Sequence, residues 1–335
     1  YDKEYGTYQN ETRFAKLMAR EIGADYHERL LNVDDLIEFL PKMVKFQDEP
    51  IADPVCMPLY YVAKLAKDNG VTVCQVGEGS DELFCGYEGW KRSINLQKLN
   101  DSFPFQRLKK ILVKILSVVP YVKDSFQLEW LKRASESRPI FWGGAEAFSD
   151  IHKRRLLSPR LRKKFSKFSS WKVIEPIRSR FEKKSWDKSH VNWMTYLDLN
   201  LRLPELLLMR VDKMTMAASL EGRVPFLDHK LVELAMSIPE DIKLKNNDLK
   251  YILKKSVKGY IPDEIINRKK QGFNVPIHEW MLDTIGKFAK KELLEFCDQT
   301  DFLNKKEVKK LFSNNRGVQI WYLLNFVLWW KEYIK

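Results

Sequence analysis

The feature that most constrains the fold is a strand pattern followed by a glycine-rich acidic turn. Residues Val71–Val76 are mostly apolar or β-branched and follow an Asn69–Gly70 turn signal, so they predict a buried parallel strand. The chain then reads Gly-Glu-Gly-Ser-Asp-Glu over Gly77–Glu82. A strand, a glycine-rich turn and a helix start together form the place where open α/β sheets bind ligands.

This turn carries three carboxylates within five residues, at Glu78, Asp81 and Glu82. Carboxylates at the end of a strand suit a magnesium–phosphate site. Ser80 is expected to cap the following helix, and acids suit its first turn. The glycines on either side of Glu78 allow positive φ and a close approach of a ligand. A solvated acidic cap on a tight turn is the alternative, since a short glycine-rich loop is a weak motif.

Composition sets the broad class of protein. The chain has 335 residues, enough for a large core and two sub-domains, and 44% of them are hydrophobic. Its formal charge of +13 fits an anionic substrate or a nucleic-acid surface. The four cysteines show no C-x-x-C spacing. This usage predicts a reduced, cytoplasmic protein with buried thiols rather than a disulfide or metal framework.

Targeting signals are not evident in the sequence. No signal-peptide pattern opens the chain, and the most apolar segment, Val318–Trp330, is too short to span a bilayer. We therefore expect no membrane partner, and the sequence leaves a homo-oligomer open. The chain begins at Tyr1 rather than Met, and its first residues resemble the middle of a domain. We expect a fragment of a longer polypeptide.

The order of predicted elements gives the fold class. Helical periodicity occurs over Asn10–Ile22, Leu36–Met43 and Pro58–Lys67, before the strand. Helices that alternate with strands predict an α/β fold with a parallel sheet, here over residues 1–92. Strand signals fade after Trp90, so residues 93–335 are expected to be mainly helical.

Residues 153–172 contain many lysines and arginines and no acid. Phe165, Phe168 and Trp171 are interleaved with them. Basic residues with aromatics predict a nucleic-acid surface on one interpretation. The sequence favours the other interpretation, a solvated helical surface whose aromatics face the core, because they recur at i, i+3 and i+6.

Two charged segments follow in the second half of the chain. Pro204–Met216 predicts a long helix with one apolar face, and the chain leaves it near Gly222. Glu221, Arg223 and Asp228 are candidates for an ion-pair cluster that fixes this turn. A structural role for the cluster is at least as well supported as a catalytic one.

Two loops of the chain carry clusters of charged residues. Asp48–Pro54 is acidic and punctuated by prolines, and Arg268–Pro276 is basic and contains a glycine. Cations beside a glycine suit the stabilisation of phosphate charge. Basic loops are also common as solvated surface, and the sequence alone leaves both readings open.

Four of these segments resemble motifs of the asparagine synthase family and occur in the family's order. They read D-E-P-I-A-D-P, G-E-G-S-D-E-L-F-C-G-Y, M-R-V-D-K-M-T-M-A-A-S-L-E-G-R-V-P-F-L-D-H and R-K-K-Q-G-F-N-V-P, at Asp48–Pro54, Gly77–Tyr87, Met209–His229 and Arg268–Pro276. Four separated motifs are far more specific than any one alone. The resemblance covers essentially the whole chain and is weakest in the basic stretch.

The resemblance implies a parallel-sheet ATP-pyrophosphatase core, of the adenine nucleotide alpha-hydrolase-like kind. On this basis residues 1–92 would be a nucleotide-binding part, incomplete at its N-terminus, and residues 93–335 a helical part carrying the Lys270 loop. ATP with Mg²⁺ would adenylate a carboxylate, aspartate in the leading hypothesis. Ammonia from a glutaminase domain absent here would then form the amide.

The resemblance also implies roles for single residues. Asp81 would bind magnesium and hence pyrophosphate, Glu78 would act on ammonia or position it, and Lys270 would neutralise charge at the adenylate. A metal and a fixed cation stabilise negative charge where adenylation develops it. The residues expected to contact the nucleotide are Gly77, Gly79, Ser80 and Asp81. The residues expected to order the site are Asp48, Asp53, Asp212, Arg223 and Asp228.

Departures from the family pattern qualify this expectation. The S-G-G-x-D-S loop of the family is absent, and Gly143–Gly144 has no strand before it to serve as one. Val76 stands where the family usually has Ser, and Cys85 stands where Gly is usual. We therefore expect a chain truncated upstream and inactive alone. Val76 leaves open a different acceptor, such as a sugar acid or a natural-product precursor; a basic helical nucleic-acid-binding module is the other alternative.

Overall fold

The computed structural model describes residue 1, residues 5–6 and residues 10–334, which form a mostly helical protein with one small parallel sheet. Its first elements are α1 (Thr12–Glu21), α2 (Val33–Gln47), α3 (Cys56–Asp68), β1 (Val73–Gln75) and α4 (Ser80–Leu83). The predicted helices of this part are therefore present. Helix α2 begins where the Asn32 side chain accepts hydrogen bonds from the backbone N–H groups of Asp34 and Asp35.

A run of helices follows. These are α5 (Glu88–Ser102), α6 (Gln106–Leu116), α7 (Phe126–Ser135), α8 (Asp150–Leu156), α9 (Pro159–Lys164), α10 (Trp171–Lys184) and α11 (His190–Asn200). The predicted helix Pro204–Met216 is a π-helical segment, Leu203–Leu208, that continues into α12 (Met209–Ala217). Nothing in the apolar pattern distinguishes a π turn from an α turn, so the sequence did not predict this change.

The remaining elements include the second strand. They are β2 (Glu221–Arg223), a 3-10 turn (Pro225–Leu227), α13 (His229–Ser237), α14 (Glu240–Lys243), a second 3-10 turn (Lys245–Asn247), α15 (Tyr251–Ser256), α16 (Asp263–Asn267), α17 (Ile277–Leu282), α18 (Thr284–Gln299), α19 (Lys305–Ser313) and α20 (Gly317–Tyr333).

Strands β1 and β2 pair in parallel, with Cys74 opposite Gly222. The predicted parallel strand is confirmed, but the prediction that it is buried is wrong, because Val73 is 40% exposed. In the part of the chain that is described, β2 is the only strand that pairs with β1. Helix α12 covers one face through Val211 and Thr215, which lie against Gly222. Among the described residues nothing comparable covers the other face, so alternate residues of β1 reach solvent.

The largest core cluster joins early and late parts of the chain. It includes Phe39 of α2, Met57 of α3, Phe296 of α18 and Trp321 of α20, all almost fully buried. The Trp321 indole N–H donates to the Ala52 carbonyl at 3.0 Å. Helix α20 therefore packs into this core. Within the described residues, no helix is both long and apolar enough to cross a membrane.

The basic stretch does not pack as the sequence predicted. Helix α9 ends at Lys164, so Phe165 and Phe168 lie in a loop, 44% and 47% exposed. Trp171, the first residue of α10, packs against a buried cluster. The prediction that all three rings face the core on one helix is therefore wrong. The ammonium groups of Lys164 and Lys172 lie 5.6 and 6.0 Å from the two phenylalanine rings.

Candidate active site

The glycine-rich turn that follows β1 takes a conformation that requires glycine. Gly79 is the N-cap of α4 with φ of +92°, and a side chain there would collide with Leu227. The prediction that Ser80 caps the helix is therefore wrong. Its hydroxyl donates to the Gly77 carbonyl at 3.2 Å and accepts from the Lys250 ammonium at 3.0 Å. Ser80 thus links the turn to α15.

Asp81 lies between two lysines from distant parts of the chain. Its Oδ2 is 2.8 Å from Lys270 Nζ, and its Oδ1 is 2.8 Å from Lys250 Nζ. The acidic turn and the basic loop, which the resemblance leads one to expect at a common site, therefore meet. Gly86 makes room for this arrangement, because a Cβ at that position would collide with Asp81 Oδ1.

The charge state of this cluster follows from its surroundings. Burial alone would raise the pKa of Asp81, but the two ammonium groups outweigh burial and lower it. Burial lowers the pKa of Lys250, although Asp81 opposes that shift. One carboxylate facing two ammonium groups leaves one positive charge uncompensated. Such a site can bind an anion such as a phosphate group.

A second cluster holds Glu78 beside the turn. Arg210 of α12 donates to Glu78 Oε1 at 2.8 Å and to Asp53 Oδ2 at 2.5 Å. The other Asp53 oxygen accepts the Val55 backbone N–H at 3.0 Å. Burial would lower the pKa of Arg210, but the two carboxylates raise it. Arg210 therefore remains charged and fixes the orientation of Glu78.

Asp48 and Asp212 lie outside these contacts. The carboxylate of Asp48 is exposed and forms an ion pair with Lys213 of α12 at 2.8 Å. Asp212, the preceding residue of that helix, is exposed as well. Asp48 thus ties the proline-rich loop to α12 at its surface, and the structure does not bring Asp212 into contact with Glu78 or Asp81.

The expected cluster of Glu221, Arg223 and Asp228 forms only in part. Arg223 pairs with Glu221 at 2.8 Å, and both side chains are more than half exposed. Asp228 instead accepts the Lys230 backbone N–H at 2.9 Å as the N-cap of α13. The prediction of a three-residue ion-pair cluster is wrong, because helix capping uses the Asp228 carboxylate.

The third carboxylate of the turn points into a different, buried cluster. Glu82 accepts the Tyr87 hydroxyl at 2.6 Å and lies 3.9 Å from Arg202. Arg202 also reaches Asp198 at 3.4 Å and stacks 4.5 Å from the Tyr87 ring. Burial raises the pKa of Glu82, and it raises that of Asp198 to about 6 despite Arg202.

The geometry limits how magnesium could bind. Glu78, Asp81 and Glu82 have separate cationic partners, and no cluster of three potential metal ligands occurs in the described residues. The three carboxylates of the turn therefore do not share one site. Mg²⁺ commonly binds through one or two carboxylates together with substrate phosphates. Asp81, beside two lysines that suit phosphate oxygens, fits that donor set as a single protein ligand.

A cleft of about 560 Å³ opens beside Tyr87 and Arg202. Aromatic side chains dominate its wall, namely Tyr87, Trp90, Phe126, Trp130, Phe141 and Trp142. Among these residues, the buried indole N–H groups of Trp90 and Trp142 lack hydrogen-bond partners. Gly144 also lines the cleft and donates its backbone N–H to Asp198 at 3.2 Å. The Gly143–Gly144 pair thus supports this wall, and nothing in its contacts indicates a phosphate loop.

Sequence reasoning missed Lys250, and it assigned no role to Arg210. Lys250 adopts φ of +55° immediately before α15. A cation at a helix N-terminus opposes the helix dipole. That local disadvantage is the signal that could have marked Lys250 as a residue with a partner elsewhere.

Comparison with known proteins agrees with these features. The family model described as "Asparagine synthase" matches residues 3–331. Glutamine-hydrolysing asparagine synthetase 1 of Bacillus subtilis is 33% identical over 96% of this chain and 50% of its own length. Glutamine-hydrolysing asparagine synthetase 3 of the same species is 28% identical over 76% of this chain and 35% of its own length. Amidase chyE of Penicillium rubens is 26% identical over 93% of this chain and 49% of its own length.

The chain therefore spans about half the length of the curated relatives it matches. The matching family has the ATP-pyrophosphatase fold, which the helical architecture and small parallel sheet fit. The two B. subtilis relatives are named as glutamine-hydrolysing asparagine synthetases. By the extent of the family match and the identity to B. subtilis asparagine synthetase 1, this chain belongs to the asparagine synthase family.

Proposed function

We propose that this chain is the synthetase part of a glutamine-dependent amidotransferase that activates a carboxylate with ATP and then amidates it. The observation that carries the proposal is the pairing of Asp81 with both Lys250 and Lys270. Two lysines on one carboxylate leave an excess positive charge beside the glycine-rich turn. This combination suits a polyphosphate better than it suits a neutral ligand.

The first proposed step is adenylation. A carboxylate oxygen of the acceptor attacks the α-phosphorus of ATP, and pyrophosphate leaves with the electron pair of the broken P–O bond. Lys250 and Lys270 stabilise the negative charge that develops on the departing oxygens. Mg²⁺ bound by Asp81 and the phosphates would supply further charge neutralisation.

The second proposed step is amide formation. Ammonia attacks the acyl carbon of the adenylate, AMP leaves, and the nitrogen loses a proton. Glu78 is the proposed group that positions ammonia or accepts this proton, because Arg210 holds its carboxylate beside the turn. A glutaminase domain would supply the ammonia. This part of the proposal rests on the chain's similarity to relatives named as glutamine-hydrolysing.

Aspartate is the leading candidate for the acceptor, since the B. subtilis relatives are named asparagine synthetases. A larger carboxylic acid is the second candidate, and the aromatic cleft favours it. The cleft volume of about 560 Å³ lies in the range of roughly 300–1,000 Å³ typical of pockets for drug-sized ligands. Aspartate would fill only a small part of such a cleft. The Ser-to-Val difference at Val76 points in the same direction.

The test uses the native polypeptide that carries these residues, supplied with ATP, Mg²⁺, ammonia and a panel of carboxylic acids. We expect equal amounts of amide, AMP and pyrophosphate. The variants Lys270→Ala and Glu78→Gln should slow amide formation by about 100-fold or more and leave any glutamine hydrolysis intact. The matched controls are Lys255→Ala, an exposed lysine of α15, and Glu221→Gln, an exposed glutamate of β2. Amide formation by Lys270→Ala at the wild-type rate would contradict the proposal.

The acceptor is read from the same panel. Consumption of aspartate with formation of asparagine supports the leading candidate. Activity that is confined to acids with a large planar or apolar body supports the second candidate. Turnover of ATP to ADP and phosphate would contradict both, because adenylation must release AMP and pyrophosphate.

A further inference from the structure

Helix α6 presents an apolar face to solvent. Leu108, Ile111, Leu112 and Ile115 are 45%, 53%, 37% and 55% exposed. Their spacing of i, i+3, i+4 and i+7 places all four on one side of the helix. Monomeric soluble proteins rarely expose a contiguous apolar stripe of this kind unless it binds something.

The orientation of α6 is fixed by a buried lysine. Lys109 is only 3% exposed, and its ammonium donates to the Asn100 side-chain and backbone oxygens at 2.6 and 3.1 Å. Val113 and Leu116, four and seven residues further along, are half-buried on the same side. The helix therefore turns a lysine inward and four large apolar side chains outward. Rotation that buried the stripe would break the Lys109 contacts.

The apolar stripe continues past both ends of the helix. Phe105 precedes α6 and is 62% exposed, while Val118 and Tyr121 follow it and are 75% and 97% exposed. Aromatic rings at the margins of an apolar face are typical of segments that lie at a lipid–water boundary. The exposed surface thus extends over residues 105–121, which we call the α6 stripe.

The charges beside the α6 stripe indicate what kind of surface it would bind. Arg107, Lys110 and Lys114 are exposed and recur at i, i+3 and i+7, so they form one row along the edge of the stripe. Residues 102–123 contain no acid. An apolar surface with a row of cations along one edge complements an anionic surface. A second copy of the chain would instead bring an identical row of cations beside the first.

We propose that the α6 stripe binds the surface of an anionic lipid bilayer. Leu108, Ile111, Leu112 and Ile115 enter the boundary between headgroups and acyl chains, and the cation row contacts the anionic headgroups. The sequence predicted no membrane partner because no segment is long enough to span a bilayer. A helix that lies in the plane of the surface needs no such length. This inference is independent of the proposed function.

The test is co-sedimentation of the purified chain with vesicles made of phosphatidylglycerol and phosphatidylcholine in equal parts. We expect the wild-type chain to bind, and Ile111→Glu with Ile115→Glu to weaken binding more than tenfold. The matched control carries Val62→Glu and Leu234→Glu, two exposed apolar residues of α3 and α13. Its binding should equal that of the wild type. Equal binding by the α6 variant would overturn the proposal.

A separate experiment tests the role of the cation row. Each lysine near an anionic surface strengthens binding about fivefold, so Lys110→Ala with Lys114→Ala should weaken it about 25-fold. Vesicles of phosphatidylcholine alone should bind weakly, and added salt should reduce binding to anionic vesicles. Equal binding to neutral and anionic vesicles would overturn the proposal. So would a wild-type dimer that the Ile111 and Ile115 changes convert to a monomer, with no binding to either vesicle.

Discussion

Asp81 and Glu82 are adjacent in the sequence, yet they belong to two opposite electrostatic environments. Asp81 faces two lysines, and its pKa is lowered although burial opposes the shift. Glu82 is buried beside Tyr87 and Arg202, and its pKa is raised mainly by burial. The first helical turn of α4 sends the two side chains in different directions, so one short acidic motif contributes to two separate clusters.

One cluster is the proposed binding site, and the other is a structural support. The Asp81 cluster has excess positive charge and remains partly open. The Glu82 cluster sets two buried carboxylates against the single cation of Arg202, and Asp198 is fully buried. Changes in the first cluster should alter activity more than stability. Changes in the second should alter stability most.

The largest effect is expected for Arg202→Ala. Removal of one partner from a buried ion pair typically lowers the free energy of unfolding by about 3–5 kcal/mol. The remaining carboxylates of Glu82 and Asp198 would then lie buried without a cation. The loss should be smaller at pH 5 than at pH 8, because both groups can take up a proton. Urea unfolding at the two pH values measures it, and a loss below about 1 kcal/mol at pH 8 would contradict the structural role.

The next largest effect is expected for Lys270→Ala. Loss of one fixed group that stabilises developing charge typically lowers kcat about 100- to 1,000-fold. The free energy of unfolding should change by no more than about 0.5 kcal/mol, since Lys250 still pairs with Asp81. Steady-state kinetics of the native polypeptide and urea unfolding of the chain give the two numbers. If Lys270→Ala lost stability and kept the wild-type kcat, Lys270 would have a structural role, and the proposed catalytic role would be contradicted.

A smaller effect concerns the pH dependence of stability. Burial raises the pKa of Asp198 from its ordinary value of 3.8 to about 6 in the folded chain. Its folded form binds a proton more readily than its unfolded form, so this stabilisation is present below about pH 4 and is lost as the pH rises through 6. Between pH 4 and pH 7 the loss should be about 2 kcal/mol.

The control for this prediction is Asp198→Asn, which retains an acceptor for the Gly144 N–H and cannot titrate. Urea unfolding at several pH values should show that the wild-type chain loses about 2 kcal/mol more than the variant over this range. Parallel curves for the two proteins would show that burial does not raise the pKa of Asp198.

The smallest effect is expected for Arg223→Ala. The Arg223–Glu221 pair is exposed and lies on β2. Pairs of this kind contribute less than about 1 kcal/mol, and often nothing measurable. Both kcat and the free energy of unfolding should therefore remain close to wild type. A large loss of activity would restore the site-ordering role that the family resemblance suggested for Arg223.

Sequence patterns predicted those helices and strands whose apolar periodicity and turn residues lie within a short segment of the chain. Helix α3 and the parallel strand β1 were placed within two or three residues of their observed ends. The exposed Phe165 and Phe168 show where a local pattern fails. Their three-residue spacing suggests one helical face, but helix α9 ends at Lys164. Burial depends on where a helix ends and on what packs against it, and the sequence pattern gives neither.

The contacts of the candidate site could also be predicted only in part from the sequence. The sequence motifs identified Asp81 and Lys270 as candidate site residues. These two residues lie 189 positions apart and form an ion pair. The motifs did not reveal that Lys250 shares the same carboxylate, or that Arg210 joins Glu78 to Asp53. Which cation reaches which carboxylate depends on helix packing across the whole chain. The number of carboxylates in a motif therefore does not predict how many share one site.

The most direct test is a crystal structure of the chain with ATP and Mg²⁺. We expect phosphate oxygens within hydrogen-bond distance of Lys250 Nζ and Lys270 Nζ, beside the turn that carries Gly79. Both lysines should turn from Asp81 toward the phosphates, or contact both at once. If the nucleotide bound elsewhere, and Asp81 and its two lysines stayed paired as in the free chain, the proposal that this cluster binds the ATP phosphates would be contradicted.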